Sequence, residues 1–181
     1  MPRYVALFRG INVGKAKRIA MGDLRVLLAR LGYTDVQTLL NSGNAVFTGA
    51  AEPAGKHSDR IRQAVLRKMG VDALVIVKSA SDVAAIVKGN ELGGIAHDPS
   101  RLLVAMTSDG KALTAVRALA SADWGNEKIH VGKHAAYLWC ADGILESKAI
   151  EALLKGLKGT GTTRNWATLN KIHALMSKSG G

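Results

Sequence analysis

Tyr4, Ala6 and Phe8 alternate with Val5, Leu7 and Arg9, a period of two that predicts a strand over 4–9. The next stretch, 10–20, carries Gly10, Asn12 and Gly14 without any period and reads as a loop. From Met21 the spacing becomes helical: Leu24, Leu27, Leu28 and Leu31 form one apolar stripe, and Gly32 offers the left-handed residue that ends helices. Residues 36–40 predict a second strand, Asn41-Ser42-Gly43-Asn44 a tight turn, and 45–47 the returning partner of a hairpin. Pro53 and two glycines make 49–57 a surface loop. Ser58 is expected to cap a helix whose buried face is Ile61, Val65, Leu66 and Met69, with Asp59 in the first turn and Gly70 at the end. A short buried strand over 73–77 completes βαββαβ, the order of a ferredoxin-like domain, across 1–79.

The second half, 80–181, repeats most of that order. A helix over 81–88 turns Val83, Ile86 and Val87 inward, and a Gly-rich loop over 89–100 follows. A strand over 102–106 and a helix striped by Leu113, Val116 and Leu119 precede a hairpin of 129–131 with 136–139. Ser147 then opens a helix with Ile150, Leu153, Leu154 and Leu157 inward. Gly159-Thr160-Gly161 is expected to lead straight into a last helix, threonine-capped, with Trp166, Leu169, Ile172 and Met176 inward. This half therefore reads as βαββα plus a C-terminal helix, without a closing strand. The expected class is α+β with two ferredoxin-like (α/β plait) halves. Gly180-Gly181 reads as a frayed tail.

Composition adds limits. A content of 48% hydrophobic and 22% charged residues is globular. No apolar run approaches the roughly 18–20 residues a membrane span needs, and Arg9 interrupts the apolar N-terminal stretch that a secretory leader would keep whole. A single cysteine, Cys140, excludes an internal disulfide and fits a reducing compartment, so a cytoplasmic protein without membrane partners is expected. The net charge of +11 is lopsided: 1–79 holds 13 Lys/Arg and 5 Asp/Glu, while 80–181 holds 12 and 9. Such a basic first half favours phosphate-bearing or polyanionic partners, or serves solubility alone.

Chemistry is sparse. Arg9-Gly10-Ile11-Asn12-Val13-Gly14-Lys15 leaves a strand, turns on glycines and precedes a helix, the setting of an anion-cradling loop. It is no P-loop, because the glycine spacing is one residue short and Ala16 stands where a Mg²⁺-binding hydroxyl is needed. Nor does the chain hold the Gly-x-Gly-x-x-Gly of a dinucleotide site. Lys15, Lys17 and Arg18 nevertheless concentrate cations there. Asn44, in the hairpin turn, is expected near Arg9, although Asn and Gly also suit the turn for backbone reasons. Arg164 and Asn165 sit at the expected start of the last helix, where a cation opposes the macrodipole and invites a shared anion. His130 and His134 lack further metal ligands at a recognisable spacing, and Cys140 lacks a marked partner histidine. Tyr4, Phe8 and Phe47 fall where an RRM-type sheet carries stacking aromatics, but 43–47 does not match the basic-aromatic RNA-binding motif. The sequence calls for no cofactor and no metal, and it does not define an oligomeric state.

Three separated segments carry a resemblance. Phe8-Arg9-Gly10-Ile11-Asn12-Val13-Gly14 with Met21 and Leu24, then Ser42-Gly43-Asn44-Ala45-Val46-Phe47, then Thr162-Thr163-Arg164-Asn165-Trp166 resemble the bacterial family DUF1697 (domain of unknown function 1697). The resemblance runs in order over nearly the whole chain and implies a two-part α+β fold with ferredoxin-like plaits and no established activity. Some positions depart from the family's habit. Its loop commonly continues Gly-Gly-Lys, with a proline before the methionine, where this chain has Gly14-Lys15-Ala16 and Ala20. Its turn usually begins with Gln, here Asn41, and its Gly-Arg pair before Ser147-Lys148 is here Leu145-Glu146. That last exchange puts an acid where an anion would want a cation.

The reading that follows is a pocket between the halves lined by Arg9, Asn12, Lys15, Asn44, Lys148, Arg164 and Asn165, binding a small ligand that bears phosphate or carboxylate. These side chains include no evident general base, which suits ligand capture better than acid–base catalysis. Non-specific nucleic-acid binding by the basic half, or a structural module without ligand, are the alternatives.

Overall fold

A computed structural model describes residues 1–178, so Gly180 and Gly181 lie outside the described residues. It contains two four-stranded antiparallel sheets and six α-helices. Two compact units divide the chain: 1–83 together with the residues from 172 on, and 84–171.

Unit 1 runs β1 (Arg3–Phe8), α1 (Met21–Arg30), β2 (Thr34–Leu39), β3 (Asn44–Thr48), α2 (Ala54–Met69) and β4 (Val75–Ser79), with sheet order β2-β3-β1-β4. Tyr4, Ala6 and Phe8 on one face of β1 join Phe47 and Val77 of its neighbours in a core with Leu24 and Leu28 of α1 and Ile61 and Val65 of α2. Each large apolar side chain so buried stabilises by roughly 1.5–3 kcal/mol. The alternate positions Val5, Leu7, Val46 and Ile76 are buried as well. Tyr4, Phe8 and Phe47 are therefore closed off from bases, which removes the RNA-stacking reading. At the other end of the unit, Arg3 Nη1 donates to the carbonyls of Leu175 (2.9 Å) and Lys178 (2.6 Å).

Helix α2 begins four residues earlier than its expected cap. Pro53 occupies the N-cap position, and its fixed φ of −54° lets the chain turn directly into the helix. Ser58 lies inside α2, where its Oγ accepts a hydrogen bond from the Val77 amide at 3.1 Å and ties the helix to β4. The early start also puts His57 on the buried face, while Leu66, expected inside, is 45% exposed.

Unit 2 contains β5 (Leu102–Thr107), the short α4 (Lys111–Ala115), β6 (Lys128–Val131), β7 (Ala136–Trp139), α5 (Lys148–Leu157) and β8 (Gly161–Asn165), ordered β6-β7-β5-β8. The division between units falls within α3 (Ala80–Lys88) and within α6 (Trp166–Ser177). The expected helix through Leu113, Val116 and Leu119 is split into α4 and a 3₁₀ turn, Arg117–Ser121. Gly156 of α5 lies so close to Val116 that a Cβ there would stand 2.6 Å from Val116 Cγ1.

The second half does have a closing strand, contrary to the sequence reading. β8 pairs antiparallel with β5 from Leu103↔Asn165 to Thr107↔Gly161. Its sequence, Gly-Thr-Thr-Arg-Asn, shows no apolar alternation. It becomes a strand because β5 offers it an open edge, and its β-branched threonines tolerate the extended backbone. The cap of α6 moves accordingly: Asn165, not a threonine, accepts from the Thr168 amide through Oδ1 at 2.9 Å.

Candidate functional site

In unit 1 the loop after β1 is built on left-handed residues: Gly10, Asn12, Gly14 and Lys17 all have positive φ. Asn12 clasps it. Its Oδ1 accepts from the Ile19 amide (2.8 Å), and its Nδ2 donates to the carbonyls of Ile19 (2.8 Å) and Asn41 (2.9 Å). Asn44, fully buried, donates from Nδ2 to Leu39 O (2.7 Å) and Ser42 Oγ (3.2 Å), and the Phe8 amide donates to Gly43 O (2.9 Å). The loop and the 41–44 turn are thus one assembly at the end of β1. Arg9 is half-buried in it, its amide bonded to Leu74 O at 2.9 Å, whereas Lys15 is exposed. The Asn12 amide serves the backbone here, and Asn44 Nδ2 ties the end of β2 to the turn.

The other three expected site residues stand in unit 2. Lys148 is exposed at the first position of α5. The negative charge at that helix end comes from within the protein: Glu127 accepts from Ser147 Oγ and from the Ala149 amide (3.3 Å), while Ser147 Oγ accepts from Ile150 N (3.1 Å). Arg164 is 7% exposed, and its Nη1 donates to Thr162 Oγ1 (2.9 Å) and Thr163 O (2.7 Å). Burial pulls its pKa down to about 10, which still leaves a cation at neutral pH. The seven residues therefore divide between two units, and within unit 1 Asn12 and Asn44 both brace the loop and turn that follow β1.

Two features escaped the sequence reading. The first is a groove of about 890 Å³ between α1 and the C-terminal half of α2. Its apolar lining includes Ile19, Val26, Leu27, Leu31, Ala64 and Met69. Around it stand Arg18, Arg30, Arg67 and Lys68, with Asp23 as the single acid. Among the described residues, none of these four cations is ion-paired. Arg18 is positioned by a bond from Nη1 to Gly14 O at 3.2 Å. Val26, 48% exposed on a helix already striped with leucine, was the signal in the sequence.

The second is an aromatic and polar cluster in the core of unit 1. The fully buried His57 ring lies 4.4 Å from Tyr4 and 5.8 Å from Phe47 by ring centroids. Its Nε2 faces Ala50 O at 3.2 Å and its Nδ1 faces Tyr33 Oη at 2.9 Å. A carbonyl accepts only, so Nε2 carries the proton and Tyr33 donates to Nδ1. Arg60 then donates to Tyr33 Oη (3.4 Å) and to both Glu52 carboxylate oxygens (3.1 Å). Burial pushes the His57 pKa below its usual value and that of Tyr33 above. The unfolded chain protonates this ring below about pH 6.5, whereas the folded core resists. Stability from this group is thus intact above that pH and erodes as pH falls, by at most about 1.4 kcal/mol per pH unit. Urea titrations between pH 7 and 5 are expected to show that slope in the wild type and a shallower one in His57→Phe.

Other candidates are quiet. The described residues hold no cluster of three His, Cys, Asp or Glu able to bind a metal, and no helix long and apolar enough to cross a membrane. Cys140 is buried, and burial pushes its thiol pKa up, away from an activated nucleophile.

No curated protein matches the chain. Among solved structures, a conserved bacterial protein, SP0830 from Streptococcus pneumoniae, superposes with a TM-score of 0.79 at 23% identity, over 97% of this chain and 99% of that one. At that identity the likeness speaks for a shared fold alone. The family model "Protein of unknown function (DUF1697)" matches residues 1–137, which takes in the loop, the turn and the groove but ends before β8. With three quarters of its length matched, the chain belongs to the DUF1697 family.

Proposed function

We propose that this protein binds a ligand bearing phosphate or carboxylate groups through the cationic surface of its first unit. One observation carries the reading: Arg18, Arg30, Arg67 and Lys68 surround a single groove that contains one carboxylate, Asp23. Four cations so grouped against one carboxylate leave a net positive field that raises the local concentration of anions. Lys15, three residues from Arg18, and Arg9 extend the same field. Asn12, Asn44 and Asn165 hold backbone in place, and Lys148 stands beside the helix end that Glu127 already occupies. Each half is inferred to be a ferredoxin-like plait, supported by the strand orders β2-β3-β1-β4 and β6-β7-β5-β8. The lone cysteine supports a reducing, intracellular setting.

The test pairs two exposed substitutions, Arg30→Glu and Arg67→Glu, and follows inorganic tripolyphosphate binding by calorimetry at low salt. The double variant is expected to bind at least about tenfold more weakly. Its unfolding free energy should stay within about 1 kcal/mol of wild type, as for surface substitutions. A wild-type protein that binds no polyanion at low salt would end this reading. A single-stranded oligonucleotide run in parallel tests non-specific nucleic-acid binding, whose affinity would fall by orders of magnitude over a few-fold rise in salt.

A further inference from the structure

Three properties of the α1–α2 groove narrow its ligand. The first is its length. The ten residues of α1, Met21–Arg30, rise about 15 Å, and the groove follows them from Arg18 before the helix to Arg30 and Leu31 at its end. Cations so far apart along one axis cannot all meet a single phosphate. They match a ligand whose negative charges are also spread along its length.

The second property is the apolar strip. Val26, Leu27 and Leu31 of the α1 segment face Ala64 and Met69 of α2 across the groove, without an aromatic ring among the lining residues. Single-stranded nucleic acid and free nucleotides are held by stacking platforms, and this surface has none. The third is openness. Val26 remains 48% exposed, so a drug-sized molecule would stay largely wet, whereas such pockets ordinarily enclose 70–90% of their ligand.

A groove about three helical turns long, with Val26, Leu31 and Met69 as its accessible apolar lining and cations on both banks, is the complement of an amphipathic helix. We propose that the groove docks an acidic amphipathic helix of a partner protein. The helix lays an i, i+3, i+4, i+7 apolar stripe over Val26, Leu31 and Met69 and sets flanking carboxylates against Arg18, Arg30, Arg67 and Lys68. This rests on the anion-binding reading above and specifies its ligand as a carboxylate-bearing helix.

The test uses a fluorescein-labelled synthetic peptide of about 14 residues, with leucines on the i, i+3, i+4, i+7 pattern and glutamates elsewhere. Its control has the same composition with the leucines moved off the stripe. By anisotropy, the patterned peptide is expected to bind wild type at least about tenfold more tightly than the permuted one. The Arg30→Glu/Arg67→Glu protein should lose at least about tenfold for the patterned peptide. It should instead prefer a version with lysines in place of the glutamates, a gain that an unfolded variant could not give. Val26→Ser, an exposed and uncharged change, should weaken the patterned peptide and leave tripolyphosphate binding unaltered. Equal binding of patterned and permuted peptides would overturn the helix while leaving anion capture in place. Binding of neither the peptides nor tripolyphosphate would overturn both.

Discussion

Replacing Gly43 by alanine is expected to cost about 3 kcal/mol of stability, through two additive causes. Gly43 has φ +90°, a conformation that a side chain makes unfavourable by about 1–2 kcal/mol. Its site is also full: a Cβ there would stand 2.6 Å from Ile11 Cδ1, 2.8 Å from Phe8 Cβ and 2.9 Å from Ile11 Cγ1. Ile11 and Phe8 are buried at 1% and 0% exposure, and Phe8 Cβ hangs directly on β1, so neither can simply swing aside. Overpacking of this kind adds about 1–3 kcal/mol. Gly14→Ala is the matched control. It has φ +64° but open space at its Cβ, so it should show the conformational part alone, about 1–2 kcal/mol. Urea unfolding of the two variants separates the causes, and equal losses would refute the steric one. Because the Phe8 amide bonds to Gly43 O and Asn12 to Asn41 O, disturbance of this turn should also loosen the 10–20 loop.

His57→Ala is expected to destabilise by about 3–5 kcal/mol, in the range for deleting a buried ring. The ring fills space between Tyr4, Tyr33 and Phe47. Its removal leaves a cavity and also takes away the acceptor of the Tyr33 hydroxyl, whereas Ala50 O keeps the Glu52 amide (2.9 Å) and Tyr4 Oη (3.2 Å). His57→Phe keeps most of the volume but leaves the buried Tyr33 hydroxyl without its acceptor, at about 1–3 kcal/mol. The order wild type, Phe, Ala in urea midpoint, with unchanged dependence on urea concentration, is the expected outcome. If phenylalanine matched the wild type, the hydrogen bonds would count for nothing and packing alone would explain the site. A cluster of this kind makes His57 a structural residue of the core.

Arg164 is a poor probe of the site. With 7% exposure and bonds to Thr162 and Thr163, it is part of the interior of β8 and its surroundings. Loss of ligand binding in Arg164→Ala would be confounded by loss of stability. Arg30 and Arg67, exposed at the groove, are cleaner probes.

The family resemblance and most of the elements were legible in the sequence because they depend on local chemistry. Alternation made β1, leucine spacing made α1, Gly70 in the left-handed conformation ended α2, and Ser147 capped α5 through the Ile150 amide. The Asn-Ser-Gly-Asn turn was readable through Gly43, the one residue of 41–44 with positive φ, although Leu40 just before it takes φ +59° without being a turn residue by type. β8 was not readable. Gly-Thr-Thr-Arg-Asn has no pattern of its own, and its strand state comes from pairing with β5, more than fifty residues earlier in the chain. The start of α2 shifted because a proline served where a serine cap was expected, and that shift alone turned His57 from a loop residue into a core one.

The candidate site divides in the same way. The sequence alone determined that the first half is strongly basic, that its loop and turn need glycine and asparagine, and that no motif for a reaction is present. Only the tertiary structure decided which backbone groups the polar residues meet: Asn12 bonds the Ile19 amide and carbonyl, Asn44 the Leu39 carbonyl and Asn165 the Thr168 amide. It also decided which cations share a surface, because Arg18 and Arg30 meet Arg67 and Lys68 only when α1 and α2 pack side by side on one sheet. Residue type and spacing set local conformation, whereas the neighbours of a charge depend on contacts between segments far apart in the chain.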